Sequence, residues 1–265
     1  MRTDYERIFL GSSCFALGCA AKKPEDTLVI ESGEGFGGEF VDALRADSCP
    51  IVRPEGEGAA FYDELKARGI LDDESAAQGR IHLPAVNVIL NRWMLQKNVS
   101  ILFRTRVFDI TKTDEGYEIK GVCNARMLTF TCRKLIDTRS NDFARIRSYD
   151  PNARIALGAN LQMPKLPSVP LAGLTVVPGY LPGEVYAHMC VGGANISDRE
   201  KLLSTFEKRP SEWLDARLLK VCHALTVWCA PIREITEKGL YIPGCGFDNP
   251  VQAFAAGLCE EEATK

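Results

Sequence analysis

Four residues near the amino terminus have the types and spacing of a phosphate-binding turn. Gly11 follows the apolar run Ile8-Phe9-Leu10, and Ser13 and Ala16 occupy the next two positions of a Gly-x-Gly-x-x-Gly/Ala pattern. Such a glycine lets the backbone turn sharply out of a strand, and a helix that begins near Ser13 directs its free N–H groups at an anion. Glu31 ends the next apolar run twenty residues after Gly11, near the offset of roughly 20 residues expected for a carboxylate that binds an adenosine ribose. The spacing therefore predicts a dinucleotide-binding unit.

Ser13 is the main departure from that pattern, because glycine is the usual residue at the second position. A serine Cβ narrows the approach of the backbone to a phosphate, whereas the hydroxyl is able to donate a hydrogen bond to a phosphate oxygen. The residue type does not choose between these two effects. A strand–helix–strand unit that binds no ligand is the alternative interpretation.

The composition is that of a globular protein with an ample core. The chain has 265 residues, of which 46% are apolar and 25% charged, enough for one large domain or two small ones. The net charge of -3 comes without a basic stripe, so we expect no nucleic-acid partner. No apolar run reaches the roughly 18 residues of a membrane span, and the polar segment 1–7 leads straight into an apolar run. We therefore expect a cytoplasmic protein without a signal peptide or a membrane partner.

Ten cysteines are a high count for this length, and no two of them form a C-x-x-C motif. That spacing disfavours a zinc ribbon and a thioredoxin-like motif, and we expect no metal site. Several cysteines lie in apolar runs, which is typical of buried thiols in a reducing compartment. Cys14 is a candidate redox thiol because a helix amino terminus lowers a thiol pKa, and Cys245 is a second candidate in a glycine-rich turn.

Apolar periodicity and breaker residues predict the elements around this unit. The predicted helices cover 59–69, 84–97, 197–207, 211–228 and 250–262. The predicted strands cover 8–10, 28–30, 100–103, 106–110, 117–122, 127–131, 134–138, 174–177, 185–189 and 239–242. Prolines cluster after Asn141, so we expect a discontinuous first domain over 1–140 and 231–265 and a shortened second domain or cap over 141–230.

The order and spacing of four segments resemble those of the FAD-dependent oxidoreductases of the glutathione-reductase-like superfamily. The segments are 11–18, 31–38, 135–138 and 239–257. The resemblance implies an α/β fold, in which a Rossmann-like FAD-binding domain combines a parallel sheet with an antiparallel β-meander. A smaller α+β second domain completes the implied architecture.

The resemblance also implies which positions contact FAD. In the family, the amino terminus of a C-terminal helix points at the pyrophosphate or the flavin ring, and an acid after the glycine holds the ribityl chain. Here Cys245 replaces that acid, and Asp248 is a candidate substitute for it. The family's Ala-Thr-Gly stretch reads Asp137-Thr138-Arg139-Ser140, so only the Glu31 segment keeps the family pattern. The implied cofactor positions are Gly11, Ser12, Ser13, Cys14, Ala16, Glu31, Ser32, Gly37, Gly38, Arg139, Gly244, Cys245, Asp248, Asn249 and Val251.

His188 is the candidate general acid or base. It lies in a strand-like run of the second domain, and substrates of the family meet the flavin between the two domains. A half-buried structural histidine is the alternative. Arg53 and Arg139 are candidates for pairing with the pyrophosphate or with an anionic substrate.

Three further residues fall on or directly after the predicted helix near 211–228. We expect Cys222 and Cys229 to share a face of that helix and His223 to lie in the core. His82 lies near a predicted helix start, so we expect it at the surface.

The resemblance implies an FAD-dependent oxidoreductase that acts on a small-molecule substrate, with the flavin supplying the electron or hydride transfer. The eroded motifs support a second hypothesis, a non-catalytic flavoprotein-like subunit or scaffold that binds FAD weakly or not at all. Such a protein would act in a homo-oligomer or beside a partner subunit. A dehydrogenase that uses only a nicotinamide is disfavoured, because no second glycine-rich unit follows.

Overall fold

The computed structural model describes residues 2–46, 50–72, 79–166, 171, 173–192 and 196–260. In chain order the strands and helices are β1 (Asp4–Leu10), α1 (Cys14–Lys22), β2 (Thr27–Ile30), α2 (Glu57–Ala67), β3 (Leu71–Asp72), β4 (Arg80–Ile81), α3 (Leu83–Gln96), β5 (Ser100–Leu102), β6 (Thr105–Thr113), β7 (Gly116–Cys123), β8 (Arg126–Asp137), α4 (Phe143–Tyr149), β9 (Arg154–Gln162), β10 (Leu174–Pro178), β11 (Glu184–Cys190), α5 (Ile196–Glu207), β12 (Arg217–Val221), β13 (Thr226–Trp228), β14 (Glu234–Thr236), β15 (Gly239–Tyr241) and α6 (Pro250–Cys259). Short 3-10 turns lie at Pro24–Asp26, Ser211–Trp213 and Gly244–Gly246.

Strand β1 lies at the centre of the larger sheet, whose order is β14-β15-β8-β1-β2-β5. It pairs in parallel with β2 on one side and with β8 on the other. Its run Ile8-Phe9-Leu10 is buried, as expected of a strand covered on both faces. Leu10 is in register with Ile30 and Asp137, so the three strands end at one edge of the sheet. The predicted parallel sheet and α/β class are confirmed, and this carboxyl edge places Gly11 next to Glu31.

Strands β6, β7 and β8 form the predicted antiparallel meander. The prediction of two short strands over 127–131 and 134–138 is wrong, because β8 is one strand of 12 residues. Its first part pairs with β7 and its second part with β1. Near Arg133 the pairing of β8 changes from β7 to β1. Polar residues at that position look the same in the sequence as a break between two strands.

Helices α1 and α6 pack against each other at two glycines. A Cβ on Gly18 would lie 2.2 Å from the carbonyl oxygen of Phe254, and a Cβ on Gly257 would lie 2.2 Å from that of Phe15. Such a close approach of two backbones requires glycine on both helices. The predicted helix over 250–262 is confirmed as far as Cys259, and residues 261 and 262 lie outside the described residues.

Strand β9 lies at the centre of the smaller sheet, whose order is β10-β11-β9-β12, with β13 also paired to β9. The predicted helix over 211–228 is therefore wrong, because β12 and β13 lie within that range and pair with β9. Its apolar spacing fits a helix locally, but pairing with a strand far earlier in the chain decides the conformation. Cys222 and Cys229 follow different strands instead of sharing a helix face, and His223 is exposed rather than buried.

The larger sheet takes its strands from residues 4–137 and 234–241, and the smaller sheet takes its strands from 154–228. The division into two domains stays a prediction. The other predicted helices are confirmed as α2, α3 and α5, each within two residues. Among the described helices, none is long and apolar enough to cross a membrane.

Candidate dinucleotide crevice

The carboxyl edge of β1 and β2 places the predicted phosphate turn against the first turn of α1. Gly11 has a φ of 93°, and its N–H donates to the carbonyl oxygen of Ile30 at 2.8 Å. Ser13 is the N-cap of α1, and its hydroxyl oxygen accepts a hydrogen bond from the N–H of Ala16 at 3.1 Å. The hydroxyl that the sequence offers to a phosphate therefore caps the helix.

The Glu31 carboxylate binds the phosphate turn at the end predicted for adenosine. One oxygen accepts hydrogen bonds from the N–H and the hydroxyl of Ser12, both at 2.8 Å. The other oxygen accepts from the N–H of Gly33 at 2.7 Å and from the hydroxyl of Ser32 at 3.2 Å. Glu31 is half-buried. It lies where the spacing predicts, and its hydrogen bonds stabilise the turn itself.

Glu39, to which no motif in the sequence points, occupies the amino terminus of α1. Its Oε1 accepts a hydrogen bond from the N–H of Cys14 at 2.7 Å. Gly37 positions this loop, because its N–H donates to the carbonyl oxygen of Ser12 at 2.9 Å. A helix amino terminus favours an anion, and here the anion belongs to the chain itself. The available sequence signal was a carboxylate directly after the glycine pair of the second motif.

Burial determines the charge of Glu39. Its side chain is 9% exposed, and burial raises its pKa to about 7, although the N–H of Cys14 and the charge of Arg45 favour the carboxylate. Arg45 is buried as well, and its Nη1 donates to the carbonyl oxygen of Cys245 at 2.8 Å. The side chain of Glu39 is therefore neutral well below pH 7 and charged well above it.

The 3-10 turn before α6, Gly244–Gly246, lies opposite the phosphate turn, and the region between these two turns is the candidate crevice. The N–H of Gly244 donates to the carbonyl oxygen of Thr138 at 3.0 Å. A Cβ on Gly244 would lie 2.7 Å from the Cβ of Ser13 and 3.0 Å from Oε1 of Glu39. The turn therefore packs directly on the phosphate turn and leaves no gap between them.

The first turn of α6 borders a very small space. Asn249 is its N-cap, with its side-chain oxygen accepting from the N–H of Gln252 at 2.9 Å. Val251 is buried, whereas Asp248 is exposed. A cavity of about 20 Å³ borders Arg45, Asp248 and Asn249. That volume has room for about one water molecule, which is far less than a flavin ring requires.

Two arginines predicted to meet an anion are paired within the chain. The guanidinium of Arg139 donates to both carboxylate oxygens of Asp137, at 2.8 and 2.7 Å. Arg53 forms a similar two-point pair with Asp63 on the surface, at 2.8 and 2.6 Å. Both guanidinium groups already have a carboxylate partner.

Most of the predicted cofactor positions converge on this crevice: Gly11, Ser12, Ser13, Cys14, Ala16, Glu31, Ser32, Gly37, Gly38, Arg139, Gly244 and Cys245. Asp248, Asn249 and Val251 lie instead at the start of α6. Contact of any of these residues with a cofactor stays a prediction.

Burial also shifts the pKa values of His188 and Cys14. His188 is 2% exposed in β11, its Nε2 lies 3.0 Å from the carbonyl oxygen of Leu44, and burial lowers its pKa to about 4. The imidazole is therefore neutral at pH 7, and its role in proton transfer stays a prediction. The predicted lowering of the Cys14 pKa is wrong. Burial and the neighbouring Glu39 raise that pKa and outweigh the effect of the helix amino terminus.

A larger cavity, of about 260 Å³, is lined by residues of α1, of strands β1, β7, β8, β14 and β15, and by Glu260, which follows α6. None of the predicted cofactor positions lines it. Within the described parts of the chain, no group of three or more His, Cys, Asp or Glu residues is arranged to hold a metal ion.

These contacts do not fit the pyrophosphate of FAD. Two N–H groups of the phosphate turn, those of Ser12 and Cys14, donate to carboxylates of the chain. For a pyrophosphate to reach the N–H of Cys14, Glu39 would have to leave the helix terminus.

The fold is nevertheless similar to those of solved flavoenzymes. Glycine oxidase from Geobacillus kaustophilus matches with a TM-score of 0.63 at 12% identity, covering 100% of this chain and 97% of that chain. The p-nitrophenol 4-monooxygenase of Pseudomonas putida DLL-E4 matches with a TM-score of 0.63 at 13% identity, covering 97% of this chain and 77% of that chain. Aklavinone-11 hydroxylase, solved with FAD and aklavinone, matches with a TM-score of 0.55 at 14% identity, covering 97% and 61%.

These likenesses confirm the predicted resemblance at the level of fold: the chain has the fold of the FAD-dependent oxidoreductases. No protein-family model matches the sequence, and no curated protein matches it. At such low identities the comparison assigns no substrate and no reaction.

Proposed function

We propose that this protein is a non-catalytic member of the FAD-dependent oxidoreductase fold that binds FAD weakly or not at all. It acts as a scaffold or subunit, with a second copy or another protein as its partner. The observation that carries this proposal is the hydrogen bond between the carboxylate of Glu39 and the N–H of Cys14.

Charge supports the proposal as much as space does. A pyrophosphate carries negative charge, and at this terminus it would meet a second, buried carboxylate. Like charges at hydrogen-bonding distance repel strongly in a site from which water is excluded. Displacing Glu39 would also break its bond to Cys14 and separate it from Arg45, which stabilises its charge.

The second candidate is an FAD-dependent oxidoreductase that acts on a small-molecule substrate. The position of Glu31 at the end of β2 favours it, as does the likeness in fold to the solved enzymes. Under this hypothesis FAD binds when Glu39 is neutral, so its affinity should rise as the pH falls from 8 to 6.

The visible absorption spectrum of the purified protein, followed by FAD titrations at pH 6 and pH 8, separates the two candidates. The proposal predicts a colourless protein and, at both pH values, either no saturable change in flavin fluorescence or weak binding that does not tighten at pH 6. Flavin absorption bands in the purified protein, or saturable binding that tightens at pH 6, would overturn it in favour of the enzyme.

A further inference from the structure

Two cysteine thiols lie in contact at the turn before α6. The Sγ atoms of Cys229 and Cys245 are 3.4 Å apart. Cys229 directly follows β13 of the smaller sheet, and Cys245 is the middle residue of the 3-10 turn before α6. The contact therefore links the end of a strand of the smaller sheet to the turn that joins β15 of the larger sheet to α6.

Two hydrogen bonds of its backbone hold Cys245 in place. Its N–H donates to the hydroxyl oxygen of Ser140 at 2.9 Å, and its carbonyl oxygen accepts from Nη1 of Arg45 at 2.8 Å. Cys245 is 1% exposed. Cys229 is half-buried, so it is the more exposed cysteine of the pair and the one that we expect a reagent to meet first.

The electrostatics of the pair favour a shared negative charge. The thiol of Cys229 donates to the sulfur of Cys245, and with Ser140 and Arg45 it lowers the pKa of Cys245. The same hydrogen bond raises the pKa of Cys229. The first proton lost therefore leaves the thiolate on Cys245, and the thiol of Cys229 donates to it across the contact.

The other described cysteines lack this arrangement. Cys14, Cys19 and Cys132 are buried, and burial raises the pKa of each. Cys190 and Cys259 are exposed, and neither has a thiol contact like that of Cys229 within the described residues. Exposure alone allows adduct formation but not an internal disulfide.

We propose that Cys229 and Cys245 form a redox-active dithiol site whose substrate class is low-molecular-weight disulfides. Cys229 attacks one sulfur of the disulfide RSSR while its proton passes across the contact to the thiolate of Cys245. The S–S bond breaks and releases RS⁻, which takes that proton from Cys245. The thiolate of Cys245 then attacks the Sγ of Cys229 in the mixed disulfide and releases a second RS⁻. Two protein thiols are oxidised to one disulfide, RSSR is reduced to two RSH, and the two protons lost by the cysteines go to the leaving thiolates.

The disulfide would tie the end of β13 to the turn that packs on Ser13 and Glu39. Its formation requires the two sulfurs to approach from 3.4 Å to about 2.05 Å, which is a small movement at the end of two side chains. The dithiol site needs no flavin, so it does not depend on the proposed function.

Equilibration of the protein in glutathione redox buffers, with an acid quench, alkylation and peptide mass mapping, tests the site. We expect a loss of two hydrogen atoms and a single cross-linked peptide pair that contains Cys229 and Cys245. The Cys190→Ser/Cys259→Ser double variant removes the exposed thiols that would form glutathione adducts, and it should give the same cross-link.

Cys245→Ser is the matched variant, because it leaves the half-buried thiol without its partner. It should stop at a stable mixed disulfide between glutathione and Cys229. Glutathione adducts on Cys190 and Cys259, with Cys229 and Cys245 still reduced in the parent protein, would overturn the proposal. Since the parent alone gives that result, the test stands even if a variant fails to fold.

Discussion

The two ends of the crevice carry one glutamate each, and the two glutamates differ in their burial and in the groups they bind. Glu31, at the end predicted for adenosine, is half-buried, and its carboxylate accepts from the backbone N–H groups of Ser12 and Gly33. Glu39, at the phosphate end, is buried, and its pKa is raised to about 7. The first lies where a dinucleotide-binding fold places its acid. The second lies where such a fold places the ligand's phosphates.

The difference shows that the two acidic side chains have separate roles in this crevice: Glu31 binds the phosphate turn, and Glu39 binds the amino terminus of α1. Glu31 keeps a structural purpose, because it satisfies N–H groups of the phosphate turn without any ligand. The helix terminus keeps its preference for an anion, and a carboxylate of the chain meets that preference. Under the proposed function, the fold is complete and a side chain of the chain itself occupies the position of the cofactor's phosphates.

The largest predicted effect is a dependence of stability on pH that comes from Glu39. Burial raises its pKa from 4.5 to about 7 in the folded chain, so the folded state binds the proton more tightly than the unfolded state. This contribution to stability is complete below pH 4.5 and is lost as the pH rises through 7. The loss amounts to about 3 kcal/mol.

Denaturant unfolding of the parent and of Glu39→Gln between pH 5 and pH 8 measures this contribution. The parent should lose stability relative to the variant across that range, because the amide does not titrate. A difference between the two proteins that is constant with pH would contradict the buried, raised-pKa carboxylate.

Gly244→Ala tests how tightly the phosphate end is closed. Its Cβ would lie 2.7 Å from the Cβ of Ser13, so the turn before α6 must shift. We expect a loss of about 1–3 kcal/mol in the free energy of unfolding. Gly38→Ala is the control in the same crevice, because its Cβ would meet Asp42 at an ordinary 3.4 Å. Equal effects of the two substitutions would mean that the crevice is open at Gly244.

Glu31→Gln should cost less, about 1–2 kcal/mol, and the cost should come from the turn alone. The amide keeps one acceptor oxygen, so one of the N–H groups of Ser12 and Gly33 loses its partner. Urea unfolding at pH 7 measures the effect. A variant as stable as the parent would show that Glu31 is not needed for the turn and is free for a ligand.

Ser13→Ala should have the smallest effect, about 1 kcal/mol, because it removes the helix cap on Ala16 and keeps the Cβ that Gly244 contacts. Thermal unfolding compares it with Ser32→Ala, because the hydroxyl of Ser32 donates to its neighbour Glu31 and does not cap a helix. A neutral Ser13→Ala would mean that the hydroxyl serves something other than the helix.

The sequence predicts the parts of this molecule that depend on local spacing. The unit from Gly11 to Glu31 is one of these, because strand, turn, helix and acid lie within one short segment. The role of Glu39 is not predictable in the same way, since it depends on a loop that folds back onto Ser12. The same holds for β12 and β13, whose conformation is decided by β9. The contact between Cys229 and Cys245 likewise exists only because the turn before α6 packs against the smaller sheet.

Calorimetric titration of FAD and of inorganic pyrophosphate into the parent, Glu39→Gln and Glu39→Ala tests the central claim most directly. Alanine removes the side chain from the amino terminus of α1, whereas glutamine keeps an oxygen there in a side chain of similar size. The account predicts no binding to the parent or to Glu39→Gln, and saturable binding of at least the pyrophosphate to Glu39→Ala. Binding of FAD to the parent with the affinity shown by Glu39→Ala, or no anion binding by any of the three proteins, would contradict the claim that Glu39 occupies the phosphate position.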